Sequence, residues 1–230
     1  MEALAVEITK ILNSQNTQES KKSSEVKNNL RPLTTDEMNA VLIRIGVPER
    51  YRSAKKSDFD DKIWAATDSY RNGVREGMYI FGKTGVGKSH LAAALIRARV
   101  ESLRVPADEI GDVVTSRNPE MIWISATDLL LAVKRCFPDG AVSCEDAVIS
   151  EYTDVKLLAL DDIGPEKTSD WVTQTIYTII DRRYRDLKQT IITSNLSISD
   201  IAIKSGARVA SRIVGMCAVI ELRGKDRRVK

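Results

Sequence analysis

Gly82-Lys83-Thr84-Gly85-Val86-Gly87-Lys88-Ser89 is a full match to the pattern G-x-x-x-x-G-K-[ST]. Its flanks carry as much weight as the octet. Met78-Tyr79-Ile80-Phe81 before it is a short apolar strand candidate, and His90-Leu91-Ala92-Ala93-Ala94-Leu95-Ile96-Arg97 after it is a good helix-forming run. Strand, glycine-rich loop and helix is the order that phosphate binding needs. Glycines let successive N–H groups converge on phosphate oxygens, and the helix N-terminus adds a favourable dipole. In this reading Gly82, Lys83, Thr84, Gly85, Val86 and Gly87 form the cradle, Lys88 reaches the β- and γ-phosphates, and the Ser89 hydroxyl ligates Mg²⁺. The ligand is ATP or GTP. His90, the single histidine, either touches nucleotide or a neighbouring loop, or packs at the helix start.

Outward from the octet, strand candidates recur at Met121–Ser125, Lys156–Leu160, Thr190–Thr193 and Ala218–Leu222, with helical stretches between them. That alternation predicts a three-layer α/β domain from about Phe59 on, with a mostly parallel five-stranded sheet. Ligands of such sheets bind beyond the carboxyl ends of the strands. Two further candidates sit at such ends. The run Lys156-Leu157-Leu158-Ala159-Leu160 closes on Asp161-Asp162. Asp161 is placed to hold Mg²⁺ and Asp162 to polarise an attacking water. ATPases of this type mostly carry Glu at the second position, and the shorter Asp implies slow turnover. The fourth strand ends in Ser194-Asn195, where the Asn195 amide can donate and accept near a γ-phosphate.

The remainder of the chain sets bounds. At 230 residues, 43% hydrophobic and 29% charged, it reads as a water-soluble globular protein of one sizeable domain plus an appendage. There is no transmembrane or signal pattern, so no membrane role is expected. Cys136, Cys144 and Cys217 lack metal-ligand spacing, and reduced thiols in the cytoplasm are the simplest reading. The net charge of +3 is small, but Lys204 to Lys230 holds eight basic residues against Glu221 and Asp226, a solvated tail or a phosphate-contacting one. Leu4, Ile8, Ile11 and Leu12 have helical spacing, followed by a polar linker at about 13–29. That stripe needs either the body or a partner to pack on. A second helix is signalled by Thr34 and Glu37 at capping-box spacing, by Met38, Val41, Leu42 and Ile45, and by Gly46 as C-cap. Residues 1–58 are expected to form a helical N-terminal adaptor, and 59–230 the ATPase domain.

Several ordered strings together resemble the DnaC/IstB-type AAA+ ATPases: Gly46-Val47-Pro48-Glu49-Arg50-Tyr51, Asp161-Asp162-Ile163-Gly164-Pro165-Glu166, Asp181-Arg182-Arg183-Tyr184, Thr193-Ser194-Asn195-Leu196 and Gly206-Ala207-Arg208-Val209-Ala210-Ser211-Arg212-Ile213. The resemblance spans roughly residues 46–228. It implies an AAA+ core without a C-terminal helical lid, consistent with the eight residues after Leu222. It implies that Arg212, with Arg208 as runner-up, enters a neighbouring subunit's nucleotide site, and that Arg228 senses nucleotide. It further implies self-association through the ATPase domain. Lys134 and Arg135 become candidate single-stranded DNA contacts, or else remain solvated surface charges. The family's bacterial and phage members load the replicative DNA helicase, here through the N-terminal helices. The alternatives are a transposition helper acting on duplex DNA and a small P-loop phosphotransferase.

Overall fold

Met78, Tyr79 and Ile80 have no exposed surface, and neither have Leu158, Ile191 or Ile192. Strands buried on both faces must be apolar throughout, which explains why these runs do not alternate with polar residues. A computed structural model describes residues 30–103, 105–106, 120–136, 142–164 and 169–227. The expected first helix at 2–12, the linker at about 13–29, Pro165, Glu166 and Arg228 lie outside the described residues.

In chain order the elements are β1 (Leu30–Arg31), α1 (Thr35–Ile45), α2 (Asp61–Ala65), α3 (Asp68–Arg71), β2 (Gly77–Phe81), α4 (Lys88–Glu101), β3 (Val105–Pro106) and β4 (Met121–Ser125). There follow α5 (Ala126–Lys134), α6 (Val142–Asp154), β5 (Leu157–Ile163), α7 (Asp170–Arg185), β6 (Gln189–Ser194), α8 (Ile198–Ser205), α9 (Ala207–Met216) and β7 (Cys217–Glu221). Five strands form one parallel sheet in the order β4-β5-β6-β2-β7, while β1 and β3 make a separate antiparallel pair.

Alternate strand residues feed two apolar layers. Met78, Ile80, Leu157, Ala159 and Ile191 pack with α4 on one face. Tyr79, Leu158, Leu160 and Ile192 pack with α5, α6, α7 and α9 on the other. Each fully buried Leu or Ile contributes about 1.5–3 kcal/mol relative to exposure, so two such layers account for the fold. The three-layer α/β expectation holds, with each strand within about three residues of its predicted ends.

The predicted second helix is present. The Thr34 hydroxyl accepts from the Glu37 amide, the Glu37 carboxylate accepts from the Thr34 amide, and Gly46 closes the helix in the left-handed region. Arg31 grips Glu37 through two bonds of 2.8 and 2.6 Å, which with the Thr34 amide holds that carboxyl down at about 2. The apolar face of α1 (Met38, Val41, Leu42, Ile45) lies in the same buried cluster as Leu91 and Ile96 of α4. A division at residue 58 therefore runs through one hydrophobic layer.

The cysteines depart from the reduced-thiol expectation. Cys136 and Cys144 are disulfide-bonded, their Cα atoms 5.6 Å apart, tying the end of α5 to the start of α6. Cys217 is free and buried, and desolvation pushes its thiol pKa up. Among the described residues no helix is long and apolar enough to cross a membrane.

Candidate functional site: a phosphate cradle beside paired carboxylates

The sheet order decides which loop ends meet. With β2 beside β6 and β6 beside β5, the loop after β2, the Asn195 turn and the Asp161-Asp162 pair stand side by side at the carboxyl ends of the three inner strands. Phe81 pairs with Ser194, and Ser194 with Ile163.

The loop from Gly82 to Gly87 runs directly into α4, whose first residue is Lys88. Gly85 (φ 81°) and Gly87 (φ 105°) occupy the left-handed region, where a side chain is strained. Val86 is buried and anchors the loop, while Lys83 and Thr84 are exposed. Lys88 is 7% exposed. Its ammonium donates to the Gly82 and Lys83 carbonyls at 3.0 Å each and to Asn195 Oδ1 at 2.6 Å. A buried cation therefore has acceptors on both sides of the cleft.

Asp161 and Asp162 sit in a β-bulge, where the pairing of β5 with β6 shifts register between Leu160 and Ile163. Asp162 has φ 59°, a conformation that costs a non-glycine residue about 1–2 kcal/mol. The bulge re-aims successive side chains. Asp161 Oδ1 accepts from the Thr193 hydroxyl at 2.6 Å, and the same hydroxyl accepts from the Asp162 amide at 2.8 Å. Asp162 is exposed, and its Oδ1 accepts from Asn195 Nδ2 at 3.3 Å. Burial raises the Asp161 carboxyl pKa above the ordinary range, although bonds from Thr193 and Ser89 and the Lys88 charge pull the other way. The Asn195 turn is itself pinned. Ser194 Oγ donates to the Ile163 carbonyl at 2.7 Å, and the Tyr79 hydroxyl to the Leu196 carbonyl at 2.8 Å.

A cavity of about 230 Å³ opens beside the cradle, lined by Arg50, Tyr51, Gly85, Gly87, Lys88, Ser89, His90 and Arg227. His90 Nε2 meets Asp58 Oδ2 at 2.8 Å, and its ring lies 5.6 Å from Phe59 and 6.4 Å from Tyr51. His90 is thus packed at the helix start against the neighbouring Asp58 segment, and it also lines the cavity.

Lys88, Ser89, Asp161, Asp162 and Asn195 are brought together. Arg212 is not among them. It lies on α9, where its Nε donates to Asp181 Oδ1 at 2.7 Å and its guanidinium sits 4.8 Å over the Tyr184 ring. Arg208 on the same helix is exposed. Lys134 is exposed and lies 5.2 Å over the Trp171 ring, and Arg135 is exposed. Thr193, Arg50 and Arg227 were given no role from sequence. Thr193 was legible only through the register that sets it beside Asp161, and Arg227 only through the fold-back of the chain end.

A Mg²⁺ ion suits this donor set. Ser89 offers a hydroxyl and Asp161 a carboxylate, both hard oxygens. Among the described residues no group of three or more His, Cys, Asp or Glu could hold a metal. An ion bound mainly by phosphate and water needs no such group.

A parallel sheet with a glycine cradle at one strand end and acidic and amide side chains at the next two defines a P-loop nucleotide-binding core. The family described as IstB-like ATP binding protein matches residues 55–230, and the chain belongs to it. Its relatives include the replicative helicase loader DnaC of Buchnera aphidicola subsp. Baizongia pistaciae, 27% identical over 193 residues, covering 80% of this chain and 72% of that one. Among solved structures, the DnaC helicase loader superposes with a TM-score of 0.58 at 24% identity, over 76% of this chain and 100% of that chain. The replication initiator DnaA bound to AMPPCP and single-stranded DNA superposes with a TM-score of 0.57 at 21% identity, over 78% of this chain and 51% of that one.

Proposed function

We propose that this chain is an ATP-hydrolysing loader of the replicative DNA helicase, with ATP as its switch. The helicase client rests on one observation: similarity to a DnaC loader runs over 80% of the chain. The cradle supplies the nucleotide chemistry. Amides of residues 85–89 would take the β-phosphate, and Lys88 would exchange Asn195 and the loop carbonyls for the β- and γ-phosphates.

Mg²⁺ held by Ser89 and Asp161 would neutralise charge on the triphosphate. Asn195 and Asp162 would hold a water in line with the γ-phosphorus. Its oxygen bonds to phosphorus as the bond to the bridging oxygen of ADP breaks, and Asp162 takes the proton. Asp162 already bonds Asn195, so the water must enter between two side chains that hold one another. That arrangement fits slow turnover.

The remaining roles follow the same reading. Residues 1–29 would supply the helicase contact. The domains would associate side by side, with Arg212 completing a neighbour's site, and Lys134 and Arg135 would contact single-stranded DNA. The test is capture of a replicative helicase by the full chain with ATP, with ADP and without nucleotide, repeated on a chain lacking residues 1–29. Nucleotide-dependent capture that disappears on truncation supports loading. Absence of capture under all three conditions overturns it and turns attention to a transposase client.

A further inference from the structure

The chain end folds back over the phosphate cradle. Beyond β7, the Leu222 amide donates to the Phe81 carbonyl at 2.7 Å, so the tail leaves the sheet beside the loop it will cover. Five residues on, the Arg227 amide donates to the Gly85 carbonyl at 3.0 Å, clipping the tail to the middle of the cradle. The Asp226 carboxylate lies against the Gly85 Cα, where an added Cβ would come within 1.9 Å of its Oδ1. The Arg227 side chain passes Gly87 and ends 5.6 Å from the Phe59 ring, with Nη1 3.5 Å from the Asp58 carbonyl.

This guanidinium faces an anion site. It lines the cavity of about 230 Å³ together with Lys88 and Ser89. Among the described residues it has no carboxylate within ion-pair distance, because the nearby Asp58 carboxylate is occupied by His90 and the Lys55 amide. Three cationic side chains, Arg50, Lys88 and Arg227, therefore line one pocket, and among the described residues no carboxylate forms an ion pair with Arg227. Like charges gathered in this way are favourable only when a multiply charged anion enters.

The position within the pocket also says which part of the anion is reached. Arg227 shares its cavity with Gly85, Gly87, Tyr51 and His90, whereas Asp162 and Asn195 do not line it. Those last two stand where water and the γ-phosphate belong, so Arg227 faces the other end of the ligand.

We propose that Arg227 is a nucleotide-contacting residue supplied by the same chain, its guanidinium binding the α- and β-phosphates that ADP and ATP share. The inference deepens the ATP-binding reading and rests on it. A contact to phosphates common to both nucleotides changes the affinity for ADP and for ATP alike.

The test is titration of fluorescent ADP and ATP analogues, with Mg²⁺, into the full-length wild type, Arg227→Ala, Arg227→Lys and Arg223→Ala, with melting temperatures recorded for each. Arg223 is a tail arginine paired with Glu221 and serves as the control for tail charge. Arg227→Ala should lose about tenfold in affinity for both nucleotides, the size of one charge-assisted hydrogen bond. Arg227→Lys should recover part of the loss, and Arg223→Ala should match wild type. Equal affinity of Arg227→Ala and wild type, or a loss confined to ATP, overturns the inference while leaving ATP binding intact. Failure of wild type to bind either nucleotide overturns both.

Discussion

Lys88 and Asn195 are joined across the cleft, ammonium to amide oxygen, at 2.6 Å. The contact links the cradle after β2 to the turn after β6, and through Asn195 Nδ2 it continues to Asp162. On the proposed function, a triphosphate that drew Lys88 onto its oxygens would compete directly with Asn195. The amide would then be released to the γ-phosphate and water, and one hydrogen bond would couple binding to hydrolysis.

Asn195→Ala removes that coupling and leaves the cradle whole. Turnover should fall about 10²-fold, the usual effect of losing one preorganised donor, while affinity for ADP changes little. Steady-state phosphate release and ADP titration measure the two. Equal losses in both would assign Asn195 to binding alone.

The raised pKa of Asp161 has a sign that can be checked. A carboxyl whose folded pKa lies above its unfolded value contributes most below the unfolded pKa, and that contribution is lost as pH rises through the folded one. At neutral pH without nucleotide, the buried carboxylate is therefore a cost. Asp161→Asn keeps an oxygen for the Thr193 hydroxyl and removes the charge. Its melting temperature at pH 7 should exceed wild type, and the gap should narrow at acidic pH. Hydrolysis should be lost. Thermal scans at two pH values decide it.

Among the described residues Arg183 is the largest fully buried side chain and hydrogen-bonds no carboxylate, although Asp154 is near enough to favour its charge. Its guanidinium donates to the carbonyls of Tyr152, Thr153 and Val155 at the end of α6, to the Gln189 carbonyl and to Thr190 Oγ1 at the start of β6. Burial lowers its pKa to about 10, still charged at neutral pH. Arg183→Met would strand several carbonyls at once and should destabilise by about 3 kcal/mol or more. Chemical denaturation measures this, and a change below about 1 kcal/mol would contradict the assignment.

These cases show what the sequence could carry. The cradle, the five strands and α1 were legible because each has a local signature: glycine spacing, apolar runs, and Thr34 with Glu37 three positions further on, at capping-box spacing. β5 runs on to Ile163 because a bulge at Asp161–Asp162 prolongs the pairing, and bulges have no local pattern. Arg183 looked like any surface arginine, since only tertiary packing surrounds it with carbonyls. The apolar face of α1 was read correctly, but a stripe does not name its partner, which proved to be α4. Arg227 was passed over for Arg228 because the tail's return to Gly85 is a long-range contact.

Gly85→Ala tests that return. A methyl group there meets the Asp226 carboxylate and also sits at a positive φ. The variant should fold with a melting temperature within a few degrees of wild type yet bind ADP at least about tenfold more weakly, as the tail is displaced. Unchanged ADP affinity would mean that neither the loop shape nor the tail matters to the ligand.

Arg212 is held by Asp181, whose bond raises its pKa, and by the Tyr184 ring beneath it. Arg212→Ala should suppress hydrolysis in the assembled protein by about 10³-fold or more while leaving ATP affinity intact. Mixing it with Lys88→Ala should restore part of the activity, because each variant then supplies what the other lacks. No restoration would place the arginine's action within its own chain.

Calorimetric titration of ATP with Mg²⁺ into wild type and into Lys88→Ala tests the central claim most directly. Wild type should take up one nucleotide per chain, and the variant, deprived of the cation that bridges Gly82, Lys83 and Asn195, should bind at least tenfold more weakly (roughly 1.4 kcal/mol). No uptake by wild type, or equal uptake by both, would contradict the account.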